Sequence, residues 1–159
     1  NHGCCGRDRR AHQSTGGVAM KTKIGVVCGS FHKDEVNRML DTVKSTIEDQ
    51  SLLGSWGSLM EPVWVPGAFE VPLATKRLLD EGCAGVVTLG IIERGQTLHG
   101  QAMGQAVMSA LIDLQLSYNR PVGLGIIGPG ADPEHIEPRL DPHAKAAIEA
   151  VVHMLDVRG

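Results

Sequence analysis

No apolar stretch in this chain reaches the ~18–20 residues that a membrane-spanning helix needs, because charged or polar residues interrupt every run. Membrane insertion is not expected. A dense basic block is also missing outside the first ten residues, and 15 lysines and arginines against 18 acidic residues give a formal charge of -3. With no electrostatic footprint for a polyanion, no nucleic-acid partner is expected. Cysteine is scarce: Cys4 and Cys5 are adjacent in a polar tail, and Cys28 and Cys83 sit in apolar contexts that read as strands. Neither pair has the spacing of a zinc site, so no metal is expected, and packed thiols in a reducing cytoplasm are the reading. Phenylalanine occurs only at Phe31 and Phe69.

The first twenty residues differ from the rest. They hold Arg7, Arg9 and Arg10 with Asp8 as the single acidic residue, and show no apolar periodicity. A secretory signal is excluded for want of an apolar h-region. Residues 1–20 are therefore expected to be an extension, either disordered or foreign to the natural chain, and residues 21–159 a single domain. An Arg-rich, acid-poor segment also describes organelle transit peptides, so organellar import stays open beside the cytoplasmic reading.

What is present is a chain of 159 residues, 42% hydrophobic, with a mean hydropathy of -0.03. That is enough apolar material for one core. Strand and helix signals alternate along it. Residues 24–28 form an apolar run closed by Gly29-Ser30, and Val36, Met39, Leu40, Val43 and Ile47 follow at helical spacing. Pro62 to Val65 reads as a second strand, with Pro72 in the first turn of the next helix. Ala84 to Leu89 reads as a third, followed by a helix from about Leu98 to Tyr118 carrying Met103, Val107, Leu111 and Leu114. Pro121 to Ile127 is a fourth, broken by Gly128-Pro129-Gly130. Asp141-Pro142 reads as the cap and first residue of a last helix, with a short helical turn near Pro133 to Pro138 before it.

Near-continuous apolar strands separated by helices indicate an α/β fold with a parallel sheet covered on both faces, here with four strands. Ligands of such sheets bind beyond the carboxyl ends of the strands. The segments that matter are then Gly29 to His32, Pro66 to Glu70, Gly90 to His99, and Gly128 to Arg139. The third is a strand-to-helix turn, whose free backbone N–H groups and positive dipole end suit a phosphate. His99 falls in the first turn of the helix beyond it.

Val65-Pro66-Gly67-Ala68-Phe69-Glu70-Val71-Pro72 resembles the VPGAFE(I/V)P segment of the lumazine synthase family, and Arg94-Gly95-Gln96-Thr97-Leu98-His99 resembles its RGxTxH turn. The likeness runs from about Thr22 to Leu155. It implies a flavodoxin-like three-layer αβα sandwich. The implied reaction condenses 5-amino-6-ribitylaminouracil with 3,4-dihydroxy-2-butanone 4-phosphate to 6,7-dimethyl-8-ribityllumazine, phosphate and water, without a cofactor, in riboflavin biosynthesis. His99 as proton-transfer group and Arg139 as counter-charge to phosphate are the implied catalytic residues. Binding falls by the same resemblance to Phe31 and His32, to Gly67, Ala68, Phe69 and Glu70, to Ile91, Ile92 and Glu93, to Gly95, Gln96 and Thr97, and to Leu124 and Lys145. Phe31 would cover the heterocycle, Glu70 would accept from ribityl hydroxyls, and residues 95–97 would hold the phosphate.

The family also implies a homo-oligomer, in pentamers or multiples of them, with sites between neighbouring subunits. Arg139 and Phe31 could then serve different sites from His99. A riboflavin synthase is a candidate partner. Some positions depart from the family pattern: His32 replaces a neutral amide, Glu93 an aliphatic residue, and Leu124 a phenylalanine. One alternative is a riboflavin-synthase-type or other paralogous enzyme of the same fold, and the departures keep open another, a lumazine- or flavin-binding assembly protein without turnover. The complete RGxTxH turn with His99 favours the synthase.

Overall fold

The computed structural model of the protein describes residues 22–50 and 57–157. The expected extension over residues 1–20, with Cys4 and Cys5, lies outside them. In chain order the elements are β1 (Thr22–Gly29), α1 (Lys33–Gln50), β2 (Gly57–Leu59), β3 (Val63–Val65), a 3-10 turn (Ala68–Glu70), α2 (Val71–Asp80), β4 (Gly85–Glu93), α3 (His99–Tyr118), β5 (Val122–Ala131), α4 (Pro133–Ile136), a second 3-10 turn (Glu137–Arg139) and α5 (Leu140–Asp156).

All strand pairs are parallel, in the order β2-β1-β4-β5, with β3 also on β1. Two apolar clusters cover the two faces. On one side α1 and α5 bring Val36, Met39, Val43, Ile148 and Val151 against Ile24, Val26, Leu89 and Ile127. On the other, α2 and α3 bring Val71, Leu78, Leu79, Val107 and Leu111 against Val27, Val86 and Ile126. The result is the expected three-layer αβα sandwich. Cys28 is buried in β1, and burial pushes its thiol up to about 12. Among the described residues no helix is long and apolar enough to cross a membrane.

The sheet has five strands rather than four. The expected second strand is an edge made of two pieces, β2 pairing residues 57–59 with Thr22 to Ile24 and β3 pairing Val63 to Val65 with Val27 to Gly29. Pro62 separates them: it has no N–H to give to the ladder, so the edge lapses there and resumes. Met60 N–H still donates to Ile24 O at 2.9 Å, which keeps the broken edge in register.

Three other boundaries differ. Cys83 precedes β4 in a buried turn and is not itself in a strand. The Gly128-Pro129-Gly130 cluster does not end β5, since pairing resumes at Glu93↔Ala131 after a register shift. Positive φ at Gly128 (99°) and Gly130 (87°) lets the extra residues bulge out of the ladder. Asp141 is not a cap: the 3-10 turn runs straight into α5, which starts at Leu140. Its carboxylate is instead drawn sideways to α1, where Thr42 Oγ1 donates to it at 2.8 Å and Arg38 lies 3.2 Å away.

Candidate active site

Connections from β1 and β4 leave the sheet in opposite directions, which makes the gap between their carboxyl ends the switch point of the topology. Three turns meet there. The first follows β1, where Ser30 N–H donates to Val65 O at 2.7 Å and ties the turn to the β3 edge. Phe31 then projects with 56% of its surface exposed. His32 takes φ 59, in the left-handed region, and its carbonyl accepts the first bond of α1 from Val36 N–H at 3.0 Å.

The second turn joins β3 to α2. Glu70 Oε2 accepts from Gly67 N–H at 3.0 Å, folding residues 67–70 into a closed box. One carboxylate oxygen is thus used by the backbone, and the other is left to accept from a ligand hydroxyl. Packing lets Ala68 sink into the core while Phe69 stands 71% exposed.

The third turn is shorter than the sequence pattern implied, because β4 runs on through Glu93. Arg94 N–H still pairs to Ala131 O at 2.9 Å, and the free turn is residues 95–98. Residue His99 opens α3, whose first bond joins Ala102 N–H to Leu98 O at 3.0 Å. The amides of Gly100 and Gln101 precede that bond and form the helix's open N-terminal end. Thr97 Oγ1 accepts from His99 N–H at 3.3 Å, which leaves its own hydroxyl proton to donate. A positive dipole end and a short polar turn can together hold an anion.

These turns enclose a cleft of about 530 Å³ lined by Phe31, Pro66, Gly67, Ala68, Phe69, Glu70, Ile91, Ile92, Glu93, Arg94, Gly95, Thr97, His99, Gly100 and Met103. Phe31 and His99 therefore share one cleft within one chain, against the expectation that they could be apart. Gln96 lines an adjoining hollow on the outer side of the third turn. His32 sits behind Phe31 and reaches Glu93, with Nε2 2.6 Å from Oε1.

Arg139, Leu124 and Lys145 are not brought to this cleft. Arg139 donates to His135 O at 2.8 Å on the 3-10 turn before α5. Lys145 lies within 3.8 Å of Glu149, one turn along the exposed side of α5, and Leu124 is an exposed side chain on the edge strand β5. Pattern reading left out Pro66, Arg94, Gly100 and Met103. The first three stand inside or next to the two motifs, and Met103 lies one helical turn after His99, so i, i+4 spacing would have found it.

A family model described as 6,7-dimethyl-8-ribityllumazine synthase matches residues 21–158. Proteins of that name are similar along most of their length: one from Metallosphaera sedula is 38% identical over 83% of this chain and 85% of its own. One from Picrophilus torridus is 40% identical over 84% of this chain and 94% of its own, and one from Methanoculleus marisnigri 36% identical over 86% and 97%.

Proposed function

The chain belongs to the 6,7-dimethyl-8-ribityllumazine synthase family, and from that premise we infer that it condenses 5-amino-6-ribitylaminouracil with 3,4-dihydroxy-2-butanone 4-phosphate. The observation that carries this is the single cleft in which an exposed aromatic face, a carboxylate-bearing turn and an open helix N-terminus converge. Each part matches one need of the two substrates. Phe31 offers a face on which a flat pyrimidine stacks. Glu70 and the amides of residues 67–69 suit the ribityl chain, and the amides and Thr97 hydroxyl of the third turn suit the phosphate.

Condensation needs protons moved in both directions. The amine adds to the ketone and water leaves to give an imine. A proton is then taken from the carbon next to it as phosphate departs, the resulting enol becomes a ketone, and the second nitrogen closes the ring with loss of water. An imidazole can accept and return protons near neutral pH, and His99 stands at the open helix end where the phosphate would sit. Holding both reactants in one cleft converts their encounter to an internal reaction. Arg139 is assigned to neutralise phosphate charge, and Leu124 and Lys145 to the pyrimidine side, in a cleft of a neighbouring subunit. Support comes from their placement outside their own chain's cleft, together with the exposed apolar side chains of α3. We therefore assign a homopentamer or a multiple of it. A riboflavin synthase would consume the product and is the partner to test by co-purification.

Mixing the purified protein with both substrates should raise lumazine absorbance and release inorganic phosphate in step. Tight binding of the lumazine with no product from the substrates would overturn the assignment in favour of a binding protein.

A further inference from the structure

Stacking and anion seating give no specific part to one pair of side chains that the resemblance implies in binding. His32 comes from the turn after β1 and Glu93 from the last residue of β4, and they meet at 2.6 Å between Nε2 and Oε1. Both are largely covered, with 25% and 34% of the side chains exposed. The nitrogen is buried, and its close approach to Glu93 is not a well-directed hydrogen bond. The backbone of His32 holds φ 59, in the left-handed region that few side chains adopt. Its ring also packs edge-on to Phe31, at 4.7 Å between centroids.

Glu93 occupies the ridge between two spaces. It lines the cleft beside Phe31 and also the adjoining hollow walled by Gly95, Gln96 and Thr97. A lone carboxylate between a ring platform and a phosphate seat would repel the phosphate. With the His32 imidazole against Oε1, the other carboxylate oxygen is left to accept from a ligand.

We propose that Glu93, positioned by His32, is the side-chain acceptor that selects the heterocycle stacked on Phe31 by taking a ring N–H. This rests on the reading of the cleft given above and names its specificity. A carboxylate only accepts, so a ring presenting an N–H there is kept and one presenting a methylated nitrogen is rejected. His32 is a positioning residue that acts through Glu93.

The test compares wild type with Glu93→Gln, His32→Gly and His32→Asn, measuring kcat and KM for each substrate. Glycine removes the ring without straining the backbone, and asparagine returns a donor in a conformation it tolerates. Glu93→Gln should raise KM for the pyrimidine about tenfold or more, as expected for a lost charge-assisted hydrogen bond. KM for the phosphate substrate and kcat should move far less. His32→Gly should change the same constant in the same direction, and His32→Asn should recover part of the loss. Equal changes in kcat and both KM values, or an unchanged pyrimidine KM, would overturn the proposal.

Calorimetric binding of 6,7-dimethyl-8-ribityllumazine, which keeps a ring N–H, reads the pair without turnover. Wild type that binds it but makes none, with Glu93→Gln binding about tenfold more weakly, would overturn the reaction assignment and support the pair. Turnover with an unchanged pyrimidine KM would do the reverse. Wild type that neither turns over nor binds would overturn both.

Discussion

His99 owes its place to the helix it begins. As the first residue of α3 it stands beside the amides that no helical carbonyl can satisfy, so the group proposed to move protons and the proposed seat for the leaving phosphate are set by one strand-to-helix join. Removing the imidazole leaves that join intact, since its own amide is held by the Thr97 hydroxyl oxygen. His99→Ala is expected to lower kcat by about 10²–10⁴-fold, the usual contribution of a general acid or base, with unchanged oligomer mass. Full activity in that variant would remove His99 from the mechanism. At this scale the sequence was informative about which turns matter, because an RGxTxH turn and a VPGAFE turn name their residues locally. It was silent on the His32–Glu93 contact. Each of those residues looks like an isolated oddity along the chain, and only the adjacency of β1 and β4 brings them together.

Elements were legible where their signal is local. Apolar residues at helical spacing placed α1, α2 and α3, and short apolar runs placed β1 and the start of β4. Misread boundaries all depend on neighbours. Pro62 splits an edge because β1 lies beside it, β5 outlasts its glycines because β4 supplies partners, and Asp141 forgoes capping because α1 offers a hydroxyl and a guanidinium. That last choice has a measurable consequence. The Thr42 hydroxyl, then the Arg38 guanidinium, hold the Asp141 carboxyl below the usual carboxylate range, while partial burial opposes them. A depressed folded value means the clasp stabilises the fold at neutral pH and loses that contribution as pH falls from the ordinary carboxylate value through the folded one. Thr42→Val keeps the shape and removes the donor. It should cost less than about 1 kcal/mol at pH 7, since the carboxylate is half exposed and screened, and less again at pH 3. Urea unfolding at the two pH values checks this, and an equal difference at both would rule out the clasp as the source.

Across the whole molecule, α3 has apolar residues on two sides. Val107 and Leu111 face the sheet, while Ile112 and Leu116, one turn apart, are 55% and 73% exposed. A helix with a second, exposed apolar side expects cover there as well. The residues proposed for the site from a neighbour, Arg139, Leu124 and Lys145, likewise lie away from the cleft that holds His99. One arrangement answers both: a ring in which each subunit lays the β5 and α5 side of its surface against the α3 side of the next. Such a head-to-tail contact, where its rotation closes, would give the proposed cyclic oligomer and set His99 of one subunit opposite Arg139 of its neighbour. Two inactive variants should then repair each other. If His99→Ala and Arg139→Ala subunits are unfolded together and reassembled in equal amounts, about a quarter of the interfaces carry both native residues, and activity should return toward that fraction of wild type. Reassembly to the native mass with no recovered activity would place both residues in the same subunit's site. A monomer at micromolar concentration would remove the shared site altogether.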